Sequence, residues 1–183
     1  TNADNAAARR CYEKLGYILT EESECTNGDG QTRMGCTYMR EFATTITYTN
    51  TISAEDYNTL RESAGWPRIH SEQATAGIYG SALVVAAKDD DRTVGTARLV
   101  WDGGYAALIK DVLVLPEYQG RGIGSEMMNR IMSFLKSKLK PGFGIQIDLM
   151  AATDKEPFYE KLGFVSRPRD NRGAGMDLWI TKE

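Results

Sequence analysis

Three glycines at alternate positions, Gly120, Gly122 and Gly124, follow the apolar run Val112–Leu115 and a turn at Pro116. Ile123, Met127, Met128, Ile131, Met132, Phe134, Leu135 and Leu139 then recur at the spacing of one helix face. A strand, a glycine-rich loop and a helix in this order aim the unpaired N–H groups of the helix start at an anion, and the helix dipole adds partial positive charge. Glycine admits positive φ and lets the main chain approach a ligand with no Cβ between them. The chemistry implied is binding of phosphate or pyrophosphate by main-chain donors.

Spacing sorts the families that own such loops. A P-loop requires G-x-x-x-x-G-K-[ST], and no Lys-Ser or Lys-Thr follows Gly124. The dinucleotide fingerprint G-x-G-x-x-G has a different last interval. It also asks for an acid about 20 residues on, where the chain reads Pro141-Gly142-Phe143-Gly144. Gln119-Gly120-Arg121-Gly122-Ile123-Gly124 satisfies Q/R-x-x-G-x-G/A, and the region resembles the pyrophosphate-binding signature of the GNAT N-acetyltransferase superfamily. The bland alternative is a glycine-rich turn before an ordinary helix. A second motif, Glu156-Pro157-Phe158-Tyr159-Glu160-Lys161-Leu162-Gly163-Phe164, reads as a short helix stopped by glycine and followed by a strand. It is similar to the element that flanks the coenzyme A thiol in GNAT proteins.

The resemblance implies acetyl-coenzyme A as co-substrate, held by Gln119, Gly120, Arg121, Gly122, Ile123, Gly124 and Ser125, without a metal. It implies a pantetheine arm lying between the strand at 109–115 and the strand at 145–151, with main-chain groups near Leu113 and Leu115 bonding its amides. A main-chain N–H near Val114 would face the thioester oxygen. Tyr159 is expected to be the general acid for the departing thiolate, a phenol near 10 and a thiol near 8.5 being close enough for transfer. Asp111, on the strand feeding the loop, is expected to accept the amine proton or bind the amine. Burial beside Val112 would raise its carboxyl toward a useful value. Glu72, Asp102 and Glu117 stand in reserve. Trp66 and His70 fall in the stretch that walls the acceptor site in this superfamily. Where the motif commonly has asparagine this domain has Ala152, so Thr153 or Asp154 would have to replace any contact made there.

Composition bounds the alternatives. The 183 residues are 42% apolar and 26% charged, enough to bury a core without staples. A net charge of −3 offers no basic footprint for nucleic acid. No run approaches the ~18 apolar residues of a membrane span, and no signal peptide is visible. Cys11, Cys25 and Cys36 are odd in number and lack zinc-site spacings. Reduced thiols and a cytoplasmic location are therefore expected. His70 is the single histidine, which argues against a metal enzyme.

These residues need elements to hold them, and the chain shows an internal echo. Tyr12-Glu13-Lys14-Leu15-Gly16-Tyr17 repeats Tyr159-Glu160-Lys161-Leu162-Gly163-Phe164 except at the last position. Strand-like runs follow each copy, ending in Thr37–Phe42 and Asp177–Lys182. Residues 1–42 thus resemble the final helix and hairpin of a truncated GNAT domain, and the start at Thr1 points to a processed or cut polypeptide. Residues 43–183 read as a complete domain. Strand 45–50 precedes a helix capped by Ser53 and running to Ala64, then a second helix over 71–80. Strands at 83–87, 93–101 and 106–115 follow, then a helix over 124–140, a central buried strand at 145–151, the Tyr159 helix and two last strands. The fold class expected is mixed α/β: a mostly antiparallel sheet flanked by helices and splayed between its fourth and fifth strands. The function expected is acetyl transfer to a primary amine of a small molecule or peptide by direct attack. The alternative is a non-catalytic coenzyme A-binding sensor or interaction module. A homodimer, formed by strand exchange or by docking of residues 1–42, is the partner expected besides the acceptor; no nucleic acid or membrane is.

Overall fold

The computed structural model describes residues 5–14, 17–26, 28, 30–39 and 45–181. The chain divides into two compact units, Thr1–Thr45 and Ile46–Glu183.

In the first unit, helix α1 (Ala6–Lys14) begins at Asn5, whose side-chain oxygen accepts from the N–H of Ala8 at 3.0 Å. Strands β1 (Ile18–Thr26) and β2 (Thr32–Met39) pair antiparallel from Ile18↔Met39 to Thr26↔Thr32. Tyr12 stacks on Tyr38 with ring centroids 5.2 Å apart and meets Tyr17 edge-on at 5.6 Å, so the repeated aromatic fastens helix to hairpin. The three cysteines form no disulfide among the described residues. Leu15 and Gly16 of the repeat, Arg40–Phe42 of the expected second strand and Lys182 lie outside the described residues.

The second unit is built on a five-stranded sheet in the order β3-β4-β5-β6-β7. Strands β3 (Thr47–Thr49), β4 (Leu83–Asp89), β5 (Arg92–Trp101) and β6 (Ala106–Val114) run antiparallel to their neighbours, and β7 (Gln146–Leu149) is parallel to β6. One face carries α2 (Ala54–Ser63) and α3 (Ser71–Tyr79), whose Tyr57, Ala74 and Ile78 pack on Val84. Ser53 caps α2 by accepting from the N–H of Asp56, and His70 caps α3 through Nδ1. The long helix α4 (Ile123–Lys138) buries Ile123, Met127, Met128, Ile131 and Leu135 in the main core with Val85, Val94, Leu99 and Ile109. Each such side chain contributes roughly 1.5–3 kcal/mol by leaving water. The methionine stripe is core. A five-residue helix, α5 (Glu156–Glu160), carries Tyr159.

The C-terminal part departs from expectation. Strand 145–151 is not central: β7 is four residues long, half-exposed, and the last strand of the sheet. After Phe164 the described residues form no strand, only an isolated bridge between Arg169 and Arg172. Met176, Leu178, Trp179 and Ile180 are exposed. Strand-like alternation produces a strand only where a neighbouring strand completes the hydrogen bonds, and this segment has none.

Candidate active site

The loop sequence and the β6–β7 pair together open a cleft. Pairing between these strands runs from Ala106↔Gln146 to Ile109↔Leu149 and stops. Strand β6 continues to Val114 with its β7-facing edge uncovered. Its pairing to β5 also slips, between Thr96↔Leu113 and Arg98↔Lys110, a β-bulge centred on Asp111, whose φ is +53°.

Beyond the bulge the Leu115 N–H donates to the carbonyl of Val94 at 2.9 Å. Residues of an antiparallel ladder alternate between facing their partner and facing away. Val114, opposite Gly95, therefore turns its peptide groups away from β5, and so does Val112. The Val114 carbonyl confirms the direction by accepting from Gln119 Nε2 at 3.0 Å. The expected main-chain contacts are thus corrected by one residue: Leu113 faces β5, and Leu115 uses its N–H on Val94 and its carbonyl on the N–H of Tyr118. The sequence could not fix the phase of this alternation because a bulge resets it.

The cleft measures about 620 Å³ and is lined by Trp66 from the stretch after α2, by Val112, Leu113 and Val114, by the glycine loop, and by Lys155, Phe158 and Tyr159. The start of α4 also lines it. Gly122 is its N-cap at φ +81° with no side-chain cap, and Gly120 lies at φ +77°. The Glu126 N–H bonds the Gly122 carbonyl, so the helical donors before it point out of the ladder, toward the cleft. A Cβ on Gly124 would meet the Phe158 ring at 3.4 Å, ordinary contact, so α5 packs beside the start of α4. Lys155 is the only charged side chain among the described lining residues, and sequence reading missed it. Its signal was its place just before the Tyr159 motif. Thr153 and Asp154 do not line the cleft, whereas Met150 and Ala152 do.

Tyr159, which also lines the cleft, meets Phe158 edge-on at 4.9 Å and Phe164 at 6.2 Å. Burial pushes its phenol above the usual tyrosine range.

The structure gathers Gln119, Gly120, Gly122, Ile123, Gly124, Ser125, Val114, Trp66 and Tyr159 around this one cleft. Leu113 lines it too; Leu115, Arg121, His70 and Asp111 do not. Arg121 lies over the Tyr118 ring at 4.8 Å. His70 is spent as the α3 cap. Asp111 is buried, but among cations rather than apolar walls. Its Oδ2 accepts from Arg98 Nε at 2.7 Å and from the Tyr57 hydroxyl at 2.7 Å, and Arg61 Nη1 lies 3.8 Å from Oδ1.

A cleft lined by main-chain donors and by a half-buried phenol suits a long phosphorylated thioester. Comparison with known proteins finds acetyltransferases. The model of a family described as "Acetyltransferase (GNAT) domain" matches residues 80–166. The uncharacterized N-acetyltransferase ycf52 of Porphyra purpurea is 30% identical over 132 residues, 70% of this chain and 74% of that protein. The chloroplastic serotonin N-acetyltransferase 2 of Oryza sativa subsp. japonica is 32% identical over 124 residues, covering 65% of this chain and 60% of the rice protein. Among solved structures, the GNAT family acetyltransferase SP0256 from Streptococcus pneumoniae superposes with a TM-score of 0.58 at 28% identity, over 76% of this chain and 98% of that one.

Proposed function

The chain belongs to the GNAT family and is an N-acetyltransferase, and on that basis we propose that it moves an acetyl group from acetyl-coenzyme A to a primary amine by direct attack in a ternary complex. The observation that carries the reading is the cleft itself, lined by the uncapped start of α4, by Lys155 and by Tyr159. Gly120, Gly122, Ile123, Gly124 and Ser125 hold the diphosphate through main-chain N–H groups, and Lys155 adds a charge-assisted contact. Val112 offers its peptide groups to the pantetheine arm in the manner of an added strand. The Val114 N–H, whose carbonyl is already taken by Gln119, faces the thioester oxygen.

The amine nitrogen attacks the thioester carbon, the C–N bond forms, and the C–S bond breaks. Sulfur takes the proton of Tyr159, which is replaced from water along with loss of the amine's extra proton. Burial keeps Tyr159 protonated until the thiolate departs, and the same scarcity of water raises the thiolate's basicity. None of the described residues lining the cleft is a carboxylate, so the amine enters already neutral. The aromatic lining from Trp66, Tyr118 and Phe158, and the rice relative's name, put aromatic amines first among small acceptors.

Two further readings accompany this one. Residues 1–42 derive from the last helix and hairpin of a second GNAT domain, supported by the Tyr12–Tyr17 echo and by the order α1-β1-β2. Two copies associate through their C-terminal segments, supported by the exposed Met176, Leu178, Trp179 and Ile180 and by the open edge of β7.

Calorimetry with coenzyme A, followed by thiol release with acetyl-coenzyme A and a panel of amines, tests the main reading. Binding plus turnover that Tyr159→Phe abolishes supports it. Binding without turnover on any amine would favour a sensor, and no binding at all would defeat both.

A further inference from the structure

Asp111 is a non-glycine residue at φ +53°, a conformation that side chains disfavour. It sits where β6 slips against β5. Three groups converge on its carboxylate. Arg98 reaches Oδ2 through Nε and a terminal nitrogen, both at 2.7 Å. The Tyr57 hydroxyl donates to the same oxygen at 2.7 Å. Arg61 stands 3.8 Å from Oδ1.

Each partner is anchored in turn. Arg98 Nη1 donates to the Gly77 carbonyl at 2.7 Å and to Ser81 Oγ at 2.9 Å. Arg61 Nε donates to the Pro67 carbonyl at 3.1 Å, and its guanidinium lies 5.3 Å over the Trp66 ring. One carboxylate therefore ties α2, the α3–β4 turn and β5 to a single residue of β6. At the same slip Thr96 buries a hydroxyl for which no hydrogen-bond partner is found.

Buried ion networks are poor stabilisers, because well-packed apolar residues of similar volume do as well or better. Burying two guanidiniums and a carboxylate at this bulge therefore makes sense as geometry. The bulge sets the phase by which Val112 and Val114, rather than Leu113, face the cleft.

We propose that Arg98, Arg61 and Tyr57 are positioning residues for acetyl transfer, acting through Asp111 to hold the β6 bulge that turns the peptide groups of Val112 and Val114 toward the thioester. This rests on the proposed acetyl-transfer reading. None of the four touches the substrates. Arg61 also steadies Trp66, so the clamp sets one wall of the cleft as well as its floor.

The test compares Tyr57→Phe, Asp111→Asn and Arg98→Lys for kcat, coenzyme A affinity and pH-rate profile. Tyr57→Phe removes one hydrogen bond and no charge, which keeps a folded variant in hand should the others unfold. Misplacing a reacting group by about 1 Å costs on the order of a hundredfold. The expected result is therefore a kcat loss of about tenfold in Tyr57→Phe and about a hundredfold in Asp111→Asn. The fall in kcat exceeds any fall in coenzyme A affinity, because the α4 start still holds the diphosphate, and the pH profile keeps its shape. Arg98→Lys retains more activity than Arg98→Met.

An unchanged kcat in Tyr57→Phe overturns the proposal. So does a parallel fall of kcat and coenzyme A affinity, which would mean general loosening. So does loss of a pH limb in Asp111→Asn, which would make Asp111 the base. If the wild type transfers no acetyl group, the acetyl-transfer reading fails alone. The amide chemical shifts of Val112 and Val114 then decide the clamp: they move in Tyr57→Phe while those of α4 hold if it is right, and stay put if it is wrong.

Discussion

Tyr159 lines the cleft with its phenol raised by burial, and on the proposed reading two outcomes follow at the scale of the residue. General acids contribute about 10²–10⁴ to rate, so Tyr159→Phe should lower kcat within that range and leave the coenzyme A dissociation constant unchanged by calorimetry. The pH-rate profile should rise with the ionisation of the amine itself, since none of the described residues lining the cleft is a carboxylate, and should shift when amines of different basicity are compared. Lys155→Ala should do the opposite of Tyr159→Phe, weakening coenzyme A binding about tenfold or more, the worth of a charge-assisted hydrogen bond, with an effect that shrinks as salt rises. The phenols of Tyr57 and Tyr159 are both raised, chiefly by desolvation, Tyr57 also by Asp111. Unfolded phenols lose their protons near pH 10, before the folded ones do. The unfolded state then binds fewer protons, so stability, fully present below that pH, should fall as pH rises through the folded values. Denaturant titrations across this range measure the slope.

At the scale of the element, the start of α4 does its work by lacking a cap. Gly122 at φ +81° can be replaced only with strain, about 1–2 kcal/mol for a residue with a Cβ, and the added carbon would meet open space, where the proposed diphosphate would lie. Gly122→Ala should lower the unfolding free energy by about that amount and should weaken coenzyme A binding more than it weakens the fold. Equal losses in thermal melts and in calorimetry would count against the anion seat. The loop and α4 were legible beforehand because glycine spacing and helical periodicity are local. The role of Leu115 was not, since which strand residues face outward depends on a bulge two strands must agree on. Strand β7 was misjudged for a similar reason: an apolar run says a strand is buried, not which strand lies beyond it.

At the scale of the whole molecule, the cleft and both core clusters are built from residues of the second unit alone. A protein of residues 46–183 should therefore melt cooperatively and bind coenzyme A as the full chain does; a molten product or lost binding would show that the first unit supports the second. The exposed Met176, Leu178, Trp179 and Ile180 should make the full chain dimerise in sedimentation experiments, and Ile180→Lys should return it to monomer. A monomer at every concentration would remove that reading.

The order of residues alone determined the glycine loop, the helix behind it, the Tyr159 motif and the echo at Tyr12, because each is a matter of neighbours along the chain. Only the tertiary structure decided that Lys155 joins the cleft, that Asp111 is clamped by Arg61, Arg98 and Tyr57, and that Val112 and Val114 face outward. Those facts depend on which strands and helices lie side by side, and residues brought together across the sheet leave no local spacing to read.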